Sequence, residues 1–187
     1  MRAVAEHVRL EEASLEQKPV LERLAQLYMY DFSEFAGGDV SEVGLFEYMA
    51  RLGDYWTERE RGPFLVRVDG KIAGFVLVAS HSALRQAGKV NWVAEFFVMR
   101  KYRRRGVGRA VAIQVFDRFP GKWEVAEMRE NVAAQAFWRK VIGEYTGGDF
   151  AETVLDDESW HGPVQSFDNS SKAPARWSGS ASGSVLE

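Results

Sequence analysis

One stretch, residues 92–109, constrains the fold of this chain more than any other. Its first part, up to Val98, is an apolar run with the length of a buried strand. A basic turn follows, and two glycines then open a helix with an apolar stripe at Val107, Val111, Val115 and Phe119. A strand that leads directly into an amphipathic helix indicates a strand–helix crossover, and therefore a domain in which helices pack on a sheet.

Alternating or continuous apolar runs predict seven strands. These cover residues 4–11, 64–68, 72–79, 90–98, 123–128, 145–155 and 164–167. Asp69-Gly70-Lys71 separates the second run from the third, and Asp-Gly is a hairpin signal because both residues tolerate positive φ. We therefore expect a sheet that is largely antiparallel in its front half.

Four helices are expected among these strands. Ser14 can cap the first, with Gln17 in the capping-box position, and Gly37-Gly38 ends it. The apolar positions of this helix are Val20, Leu21, Leu24, Leu27 and Tyr28. A short second helix is predicted from Leu45, Phe46, Met49 and Leu52, and two more cover residues 105–119 and 131–142. The order β-α-α-β-β-β-α-β-α-β-β predicts one α/β (α+β) domain.

Composition excludes several classes of protein. The 187 residues are 46% hydrophobic and 27% charged, which suits one globular domain. The net charge of −3 is unlike that of a general nucleic-acid binder, and the absence of cysteine excludes disulfides and thiolate chemistry. The three histidines are scattered, so no metal site is expected. Without a membrane-length apolar run or a signal-like N-terminus, the expectation is a soluble cytoplasmic protein.

We expect the domain to span residues 1–168. Residues 169–187 are rich in serine, glycine and alanine, which predicts a flexible tail. The ending GSASGSVLE resembles a vector-derived linker and is left out of the fold prediction.

The basic turn and its glycines predict an anion site. Residues 100–109 hold six basic side chains and no acid. Backbone N–H groups at a helix start lack internal partners, and Gly106 and Gly108 allow an anion to approach them closely. The pattern is not a P-loop, which needs Gly-Lys-Ser/Thr, nor a Rossmann fingerprint, whose third glycine is replaced by Val111.

The spacing Arg103-x-x-Gly106-x-Gly108 resembles the Arg/Gln-x-x-Gly-x-Gly/Ala signature of the GNAT acetyltransferases. Glu95-Phe-Phe-Val-Met is similar to the corresponding strand of polyamine acetyltransferases, and the later Asn131, Phe137 and Trp138 also fall within the family pattern. The resemblance covers about residues 3–168. It implies a mixed, mostly antiparallel sheet of about seven strands that splays at the cofactor site, flanked by four helices, and acetyl-coenzyme A as the co-substrate.

The resemblance also assigns cofactor residues. Backbone N–H groups in residues 104–109 would bind the pyrophosphate, and the backbone of Phe96 and Val98 would pair with pantetheine and polarise the acetyl carbonyl. The expected cofactor-binding residues are Phe96, Val98, Arg103, Arg104, Arg105, Gly106, Val107, Gly108, Arg109, Asn131, Phe137 and Trp138. Simpler readings remain open: the arginines can form a solvated face, Asn131 can cap its helix, and the two aromatic residues can belong to the core.

Acetyl transfer to an amine needs a base, because an alkylamine is protonated at neutral pH. Glu95 is our catalytic candidate, since a carboxylate in an apolar strand should have a raised pKa; a structural salt bridge is the alternative. Strand alternation sets Glu95 opposite Phe96, or at the splay where both faces are reachable. Glu127 is a second candidate. Many relatives have a tyrosine at Trp138 as the acid for the leaving sulfur, so Tyr145 or water would substitute, or departure is unassisted.

The acceptor site of this family usually involves the first two helices. Here the first helix carries the expected substrate-binding residues Tyr28, Tyr30, Asp31 and Phe32, with Glu34 beside them. They could form an aromatic and acidic pocket for a cationic amine, although helix core with solvated acids explains the same pattern.

Together these features predict an acetyl-coenzyme A-dependent N-acetyltransferase. Its acceptor would be a primary amine of a small molecule or peptide, with no nucleic acid and no membrane as partner, and a homodimer remains open. Two alternatives belong to other classes. One is a non-catalytic acyl-coenzyme A-binding or regulatory domain, which the missing tyrosine favours. The other is a nucleic-acid-binding module that uses the basic turn, against which the overall acidity argues.

Overall fold

The structure is a computed structural model that describes residues 7–47, 52–80 and 88–171. Within these ranges the strands are β1 (Val8–Glu12), β2 (Arg61–Val68), β3 (Lys71–Ala79), β4 (Asn91–Val98), β5 (Lys122–Ala126), β6 (Ala151–Asp156) and β7 (His161–Asp168). The helices are α1 (Lys18–Ala36), α2 (Asp54–Thr57), α3 (Val107–Arg118) and α4 (Val132–Thr146). Two 3-10 turns, Leu15–Gln17 and Arg100–Tyr102, precede α1 and α3. None of the helices in the described ranges could cross a membrane.

The seven strands form one sheet in the order β1-β2-β3-β4-β5-β7-β6. All neighbouring strands are antiparallel except β4 and β5, which run parallel and are connected through α3. A parallel pair requires such a crossover, because a tight hairpin can join only antiparallel strands. The predicted fold class, the mixed and mostly antiparallel sheet and the order of elements are therefore confirmed.

The predicted turns form where their residues allow unusual backbone geometry. Asp69 and Gly70 join β2 to β3 with φ values of 50° and 76°, as a type I′ hairpin requires. Gly37 ends α1 in the left-handed conformation, and its N–H donates to the Ser33 carbonyl at 3.1 Å. At the other end, Gln17 Oε1 accepts a 2.9 Å hydrogen bond from the Ser14 N–H. These local signals are confirmed.

The second predicted helix is wrong in position. Phe46 forms a β-bridge with Val40, and the Gln26 side chain both accepts from the Phe46 N–H at 2.8 Å and donates to its carbonyl at 3.1 Å. A helix would satisfy these backbone groups internally, but here a side chain of α1 satisfies them. Met49 lies outside the described residues, and the helix α2 begins at Asp54.

The region around Tyr145 is helical and not the start of a strand. Helix α4 continues to Thr146 and ends at Gly147, whose φ is 68°. The Tyr145 ring packs against Phe116 at 5.1 Å and Phe167 at 6.0 Å between ring centroids. Because tertiary packing outweighs β propensity, the apolar run could not be assigned from the sequence. The apolar stripe predicted for α1 is also too wide, since Leu27 is 50% exposed.

Each face of the sheet carries its own hydrophobic core. One face packs against α3 and α4, with Phe116 and Trp123 at its centre and 5.0 Å between their rings. The other packs against α1 and α2 through Leu21, Phe75 and Phe97. Helices on both faces therefore bury successive side chains of the central strands in opposite directions.

The packed domain extends one residue beyond the predicted boundary at 168. Asn169 is 3% exposed, its Nδ2 donates to the Phe116 carbonyl at 2.8 Å, and its Oδ1 accepts from the Gly121 N–H at 2.7 Å. This amide ties the end of β7 to the turn before β5. Residues 172–187 of the predicted tail lie outside the described residues.

Candidate active site

The central feature of the site is a gap between β4 and β5. These strands pair only at their N-terminal ends, through Asn91 with Trp123 and Trp92 with Glu124. The Asn91 side chain donates to the Phe119 carbonyl at 3.1 Å and so holds the start of β4 against the end of α3. Beyond Trp92 the two strands no longer pair. The splayed sheet that the family resemblance implies is therefore present.

Backbone N–H and C=O groups of two β4 residues face this gap. Met99 donates its N–H to Ala73 at 2.8 Å, which makes these residues a hydrogen-bonded antiparallel pair. Hydrogen-bonded and non-hydrogen-bonded pairs alternate along antiparallel strands. The N–H and C=O groups of Phe97 therefore face β3, whereas those of Phe96 and Val98 point away from β3, toward the gap.

The basic turn reaches α3 through two left-handed residues. Arg104 has φ 58° and Gly106 has φ 79°, and Gly106 is the N-cap of α3. The Ala110 N–H donates to the Gly106 carbonyl at 3.0 Å, so the N–H groups of the preceding residues, Val107, Gly108 and Arg109, begin the helix without that bond. The turn thus presents helix-start amides beside the gap, as an anion site requires.

Side chains from two elements, β4 and α4, close around Gly108. A Cβ atom added there would lie 3.2 Å from the Phe137 ring and 3.8 Å from the Phe96 ring. Phe96 and Phe137 are themselves 5.9 Å apart between centroids. The glycine therefore permits a close aromatic wall next to the helix start, and any larger residue would displace Phe137.

The arginines of the turn have different partners. Arg103 Nε donates to the Val98 carbonyl at 2.6 Å, and its guanidinium pairs with Asp31 of α1. Arg109 pairs with Glu144 of α4 at 2.6 Å and lowers the pKa of that carboxyl. Arg104 and Arg105 form no ion pair with another described residue. Lys101 forms none either, so three cations of the turn are not paired with a carboxylate of the described residues.

The α4 residues of the family pattern take three different positions. Asn131 caps α4, since its Oδ1 accepts from the Ala134 N–H at 3.0 Å. Phe137 is half-buried at the gap, whereas Trp138 is 5% exposed and packs 4.9 Å from the Phe96 ring and 6.2 Å from the Phe116 ring. The capping and core roles that the sequence left open are thus filled by Asn131 and Trp138.

Glu95 lies on the α1 face of the sheet, at the middle of the gap. A bulge in β4 pairs Glu95 with Leu77 and Val93 with Val78, so that Ala94 is the extra residue. Glu95 shares the α1 face with Phe97, two residues further along β4, and Tyr28 Oη donates to Glu95 Oε2 at 2.6 Å. The carboxylate is therefore on the opposite face from Phe96, as strand alternation predicts, and an α1 side chain holds it there.

Tyr55 of α2 is a neighbour of Glu95 that the sequence did not indicate. Burial raises the pKa of Tyr55, Arg61 opposes that rise, and the negative charge of Glu95 adds to it. The Arg61 guanidinium lies 5.1 Å from the Tyr55 ring centroid. No sequence signal pointed to this residue, because the helix that carries it was predicted elsewhere.

The four residues expected to bind substrate do not share one surface. Phe32 packs 5.1 Å from Tyr28, on the side of α1 that faces Glu95. Tyr30 is 66% exposed and points about 200° around the helix from Tyr28. Asp31 is bound by Arg100 and Arg103, so it is not an open carboxylate. Helix α1 therefore brings Tyr28 and Phe32 together, leaves Tyr30 exposed, and holds Asp31 against the basic turn.

Glu127, the second base candidate, lies on the other face of the sheet. It is 4% exposed, and neither carboxyl oxygen has a hydrogen-bond partner among the described residues. Burial raises its pKa to about 8, the neighbouring Gln165 amide opposes this, and the charge of Glu152 adds to it. A carboxyl that holds its proton at neutral pH accepts one less readily there. Glu127 also lies away from Tyr28 and α1, and these two observations favour Glu95 as the proposed base.

A family model for the GNAT acetyltransferases matches residues 21–143, more than half of the chain. This match covers the gap, the basic turn and α4. The chain belongs to the GNAT acetyltransferase family. The family confirms two predictions: the protein is an acyltransferase, and its co-substrate is acetyl-coenzyme A. It does not identify the acceptor. No curated protein sequence matches the chain significantly.

Solved GNAT structures show the same fold at low sequence identity. An acetyltransferase from Thermus thermophilus has a TM-score of 0.61 at 13% identity, covering 89% of this chain and 99% of that one. A spermidine N-acetyltransferase from Vibrio cholerae, in complex with CoA and spermine, has a TM-score of 0.58 at 11% identity over 88% and 96%. The PaiA N-acetyltransferase from Thermoplasma acidophilum, in complex with coenzyme A, has a TM-score of 0.54 at 10% identity over 87% and 99%.

Tyr145, which the sequence offered as a substitute for a tyrosine at the position of Trp138, lies in the last turn of α4. Its hydroxyl donates to Asp117 at 2.8 Å and accepts from Asn169 at 3.2 Å, near the end of α3 and the start of β5. Burial raises its pKa to about 12. Seven residues of helix separate it from Trp138, about 10 Å along α4. This position and the raised pKa argue against the proposal that Tyr145 is the acid for the leaving sulfur.

The buried carboxyl of this GNAT protein predicts a pH-dependent stability. Because the folded-state pKa of Glu127 is raised to about 8, its stabilising contribution is complete below the unfolded value near 4.5 and is lost as pH rises toward 8. Glu127→Gln has no proton to lose, so its stability should not fall in this way. The difference in free energy of unfolding between the variant and wild type should therefore grow in favour of the variant by roughly 2–4 kcal/mol from pH 5 to pH 8. Urea denaturation at several pH values measures this.

The control for this experiment is Glu130→Gln, which removes an exposed carboxylate three residues away. Its stability should follow wild type across the pH range. Parallel curves for wild type and Glu127→Gln would show that the Glu127 carboxyl is ionised in the folded protein at neutral pH.

Proposed function

We propose that this GNAT protein transfers an acetyl group from acetyl-coenzyme A to the primary amine of a small molecule or peptide, by direct attack with Glu95 as general base. One observation carries the proposal. The gap between β4 and β5 has helix-start amides at one end and the Glu95 carboxylate on the face toward α1. Donor and acceptor could therefore meet in the gap from opposite faces of the sheet.

The donor half of the site is proposed to be formed by the turn and by β4. The N–H groups at the start of α3 would bind the pyrophosphate, with Arg104 and Arg105 adding positive field. The gap-facing backbone of Phe96 and Val98 would bind the pantetheine arm, and one of these N–H groups would polarise the acetyl carbonyl. Phe137 would form part of the wall, and Asn131 and Trp138 would support it from α4.

The chemical step is a nucleophilic acyl transfer. Glu95 takes one proton from the ammonium group, directly or through a water molecule, and the neutral nitrogen forms a bond to the acetyl carbon. The carbon–sulfur bond then breaks, and the second proton of the nitrogen passes to water. The sulfur leaves as a thiolate. Trp138 has no proton to supply at a useful pKa, but a thiol with an ordinary pKa near 8.5 is a good leaving group without one.

The acceptor half of the site is proposed to lie on the α1 face. Tyr28 contacts the carboxylate, Phe32 packs against Tyr28, and the Glu95 charge acts on Tyr55. This aromatic surface suits a cationic amine that loses its proton on the way to attack. The structural relative from Vibrio cholerae is a spermidine N-acetyltransferase. Polyamines therefore belong in the first set of amines to be tested.

The direct test is release of free thiol from acetyl-coenzyme A with a panel of polyamines, aminoglycosides, amino acids and peptides. We expect at least one amine to raise thiol release clearly above the hydrolysis background. Coenzyme A binding without acceleration by any amine would contradict the catalytic proposal and favour the non-catalytic acyl-coenzyme A-binding alternative. Binding that is confined to oligonucleotides and is lost at high salt would instead favour the nucleic-acid alternative.

Gly108→Glu should abolish coenzyme A binding, because it adds a carboxylate among the helix-start amides and displaces the Phe137 ring. Gly38→Glu is the matched control, since an added Cβ meets nothing within 4 Å there. Calorimetry with coenzyme A should show binding for wild type and the control only, with circular dichroism to establish that the variant is folded. An unchanged affinity in folded Gly108→Glu would remove the turn from the cofactor site.

Glu95→Gln should bind acetyl-coenzyme A normally and lose about 10²–10⁴-fold in turnover, the usual contribution of a general base. The loss should shrink at high pH, where the amine deprotonates without help. A pH–rate profile of both proteins, with an amine that wild type acetylates, measures this. A folded glutamine variant with full turnover at all pH values would exclude Glu95 as base; lower stability with unchanged turnover would assign it a structural role.

A further inference from the structure

Asp31 sits where α1 meets the basic turn. Its Oδ1 accepts from Arg100 Nε at 2.8 Å and lies 2.8 Å from Arg100 Nη2 in a salt bridge, and its Oδ2 accepts from Arg103 Nη2. Its side chain is only 16% exposed, although Arg100 and Arg103 are 69% and 40% exposed. Both carboxylate oxygens are thus occupied, and the carboxylate lies beneath the two guanidinium groups that cover it.

Arg103 carries the contact onward to β4. Its Nε donates to the Val98 carbonyl at 2.6 Å, and its guanidinium lies 5.8 Å from the Phe97 ring centroid. The guanidinium is therefore held between a carboxylate of α1 and a carbonyl at the edge of the gap. Charge-assisted hydrogen bonds of this kind fix both distance and direction.

These contacts close a ring through the site. Tyr28 and Asp31 are one helical turn apart on α1, while Glu95 and Val98 are three residues apart on β4. Tyr28 binds Glu95 at one end of the ring, and Asp31 binds Val98 through Arg103 at the other. One helix therefore positions both the proposed base and the turn that leads into α3.

We infer that Asp31 is a positioning residue for the basic turn of residues 100–109, the proposed coenzyme A loop. It acts through Arg103 rather than by binding the amine. This inference rests on the proposed function, since it assigns coenzyme A to that turn. Without Asp31, Arg103 would lose its anchor, and the loop would have to be ordered when the cofactor binds. The expected effect is therefore weaker binding of coenzyme A, with the amine site left in place.

Asp31→Asn keeps the size of the side chain and removes its charge. Calorimetry with coenzyme A should show roughly a tenfold higher Kd, since charge-assisted hydrogen bonds are replaced by weaker ones. The matched control is Glu34→Gln, which removes the same charge from an exposed position three residues along α1 and should change Kd by less than about twofold. An Asp31→Asn protein that binds coenzyme A as wild type does would overturn the inference.

A double-mutant cycle with Arg103→Gln tests the route. If Asp31 acts through Arg103, the double variant should bind coenzyme A as weakly as Arg103→Gln alone. Independent, additive effects on Kd would contradict this. In steady-state kinetics with an acetylated amine, Asp31→Asn should raise the KM for acetyl-coenzyme A and leave the KM for the amine unchanged. The reverse pattern would mean that Asp31 binds the amine.

Hydrogen exchange of the ligand-free protein separates this inference from the proposed function. Asp31→Asn should speed exchange of the amides in residues 100–109, whereas Glu34→Gln should not. Faster exchange, in a protein whose wild type does not bind coenzyme A, would contradict the proposed function and leave the loop role of Asp31 intact. Unchanged exchange together with an unchanged Kd would overturn the loop role alone.

Discussion

The site depends on how little of β4 and β5 pairs. Two residue pairs at the start of these strands hold the parallel junction together, and the crossover through α3 then carries the strands apart. A fully paired sheet would use the gap-facing amides and carbonyls of Phe96 and Val98 in its own ladder. Because pairing stops at Trp92, these groups face the gap. Because the strands diverge, the gap connects the face toward α1 with the helix-start amides of α3.

Ion pairs, more than the number of basic residues, decide how much positive charge is left at the gap. The turn of residues 100–109 is strongly basic, yet three of its arginines are engaged by Asp31 and Glu144 from two different helices. The proposed anion site consists of the backbone amides at the start of α3, with Arg104 and Arg105 nearby. Such a site would bind by geometry as well as by charge, so it is compatible with a net charge of −3.

The two carboxyl groups that the sequence offered as bases occupy opposite faces and have different environments. Glu95 accepts a hydrogen bond from Tyr28 at the gap, whereas Glu127 has no hydrogen-bond partner among the described residues, and burial raises its pKa to about 8. A base must lose its proton at working pH, so these environments suit different roles. Trp138 adds to the asymmetry: the face that carries α4 supplies packing, and the proposed proton transfer belongs to the face that carries α1.

The sequence by itself determined the order of elements, the hairpin at Asp69-Gly70, the end of α1 at Gly37 and the glycine turn before α3, because each depends on local periodicity or on backbone freedom within a few residues. Glu95 could be selected as a carboxylate in an apolar strand. Tertiary structure alone decided the contact of Glu95 with Tyr28, the bulge at Ala94, the binding of Phe46 by Gln26 and the burial of Asp31 under two arginines. These contacts join residues far apart in the chain, and no local pattern specifies which distant side chain will satisfy a given polar group.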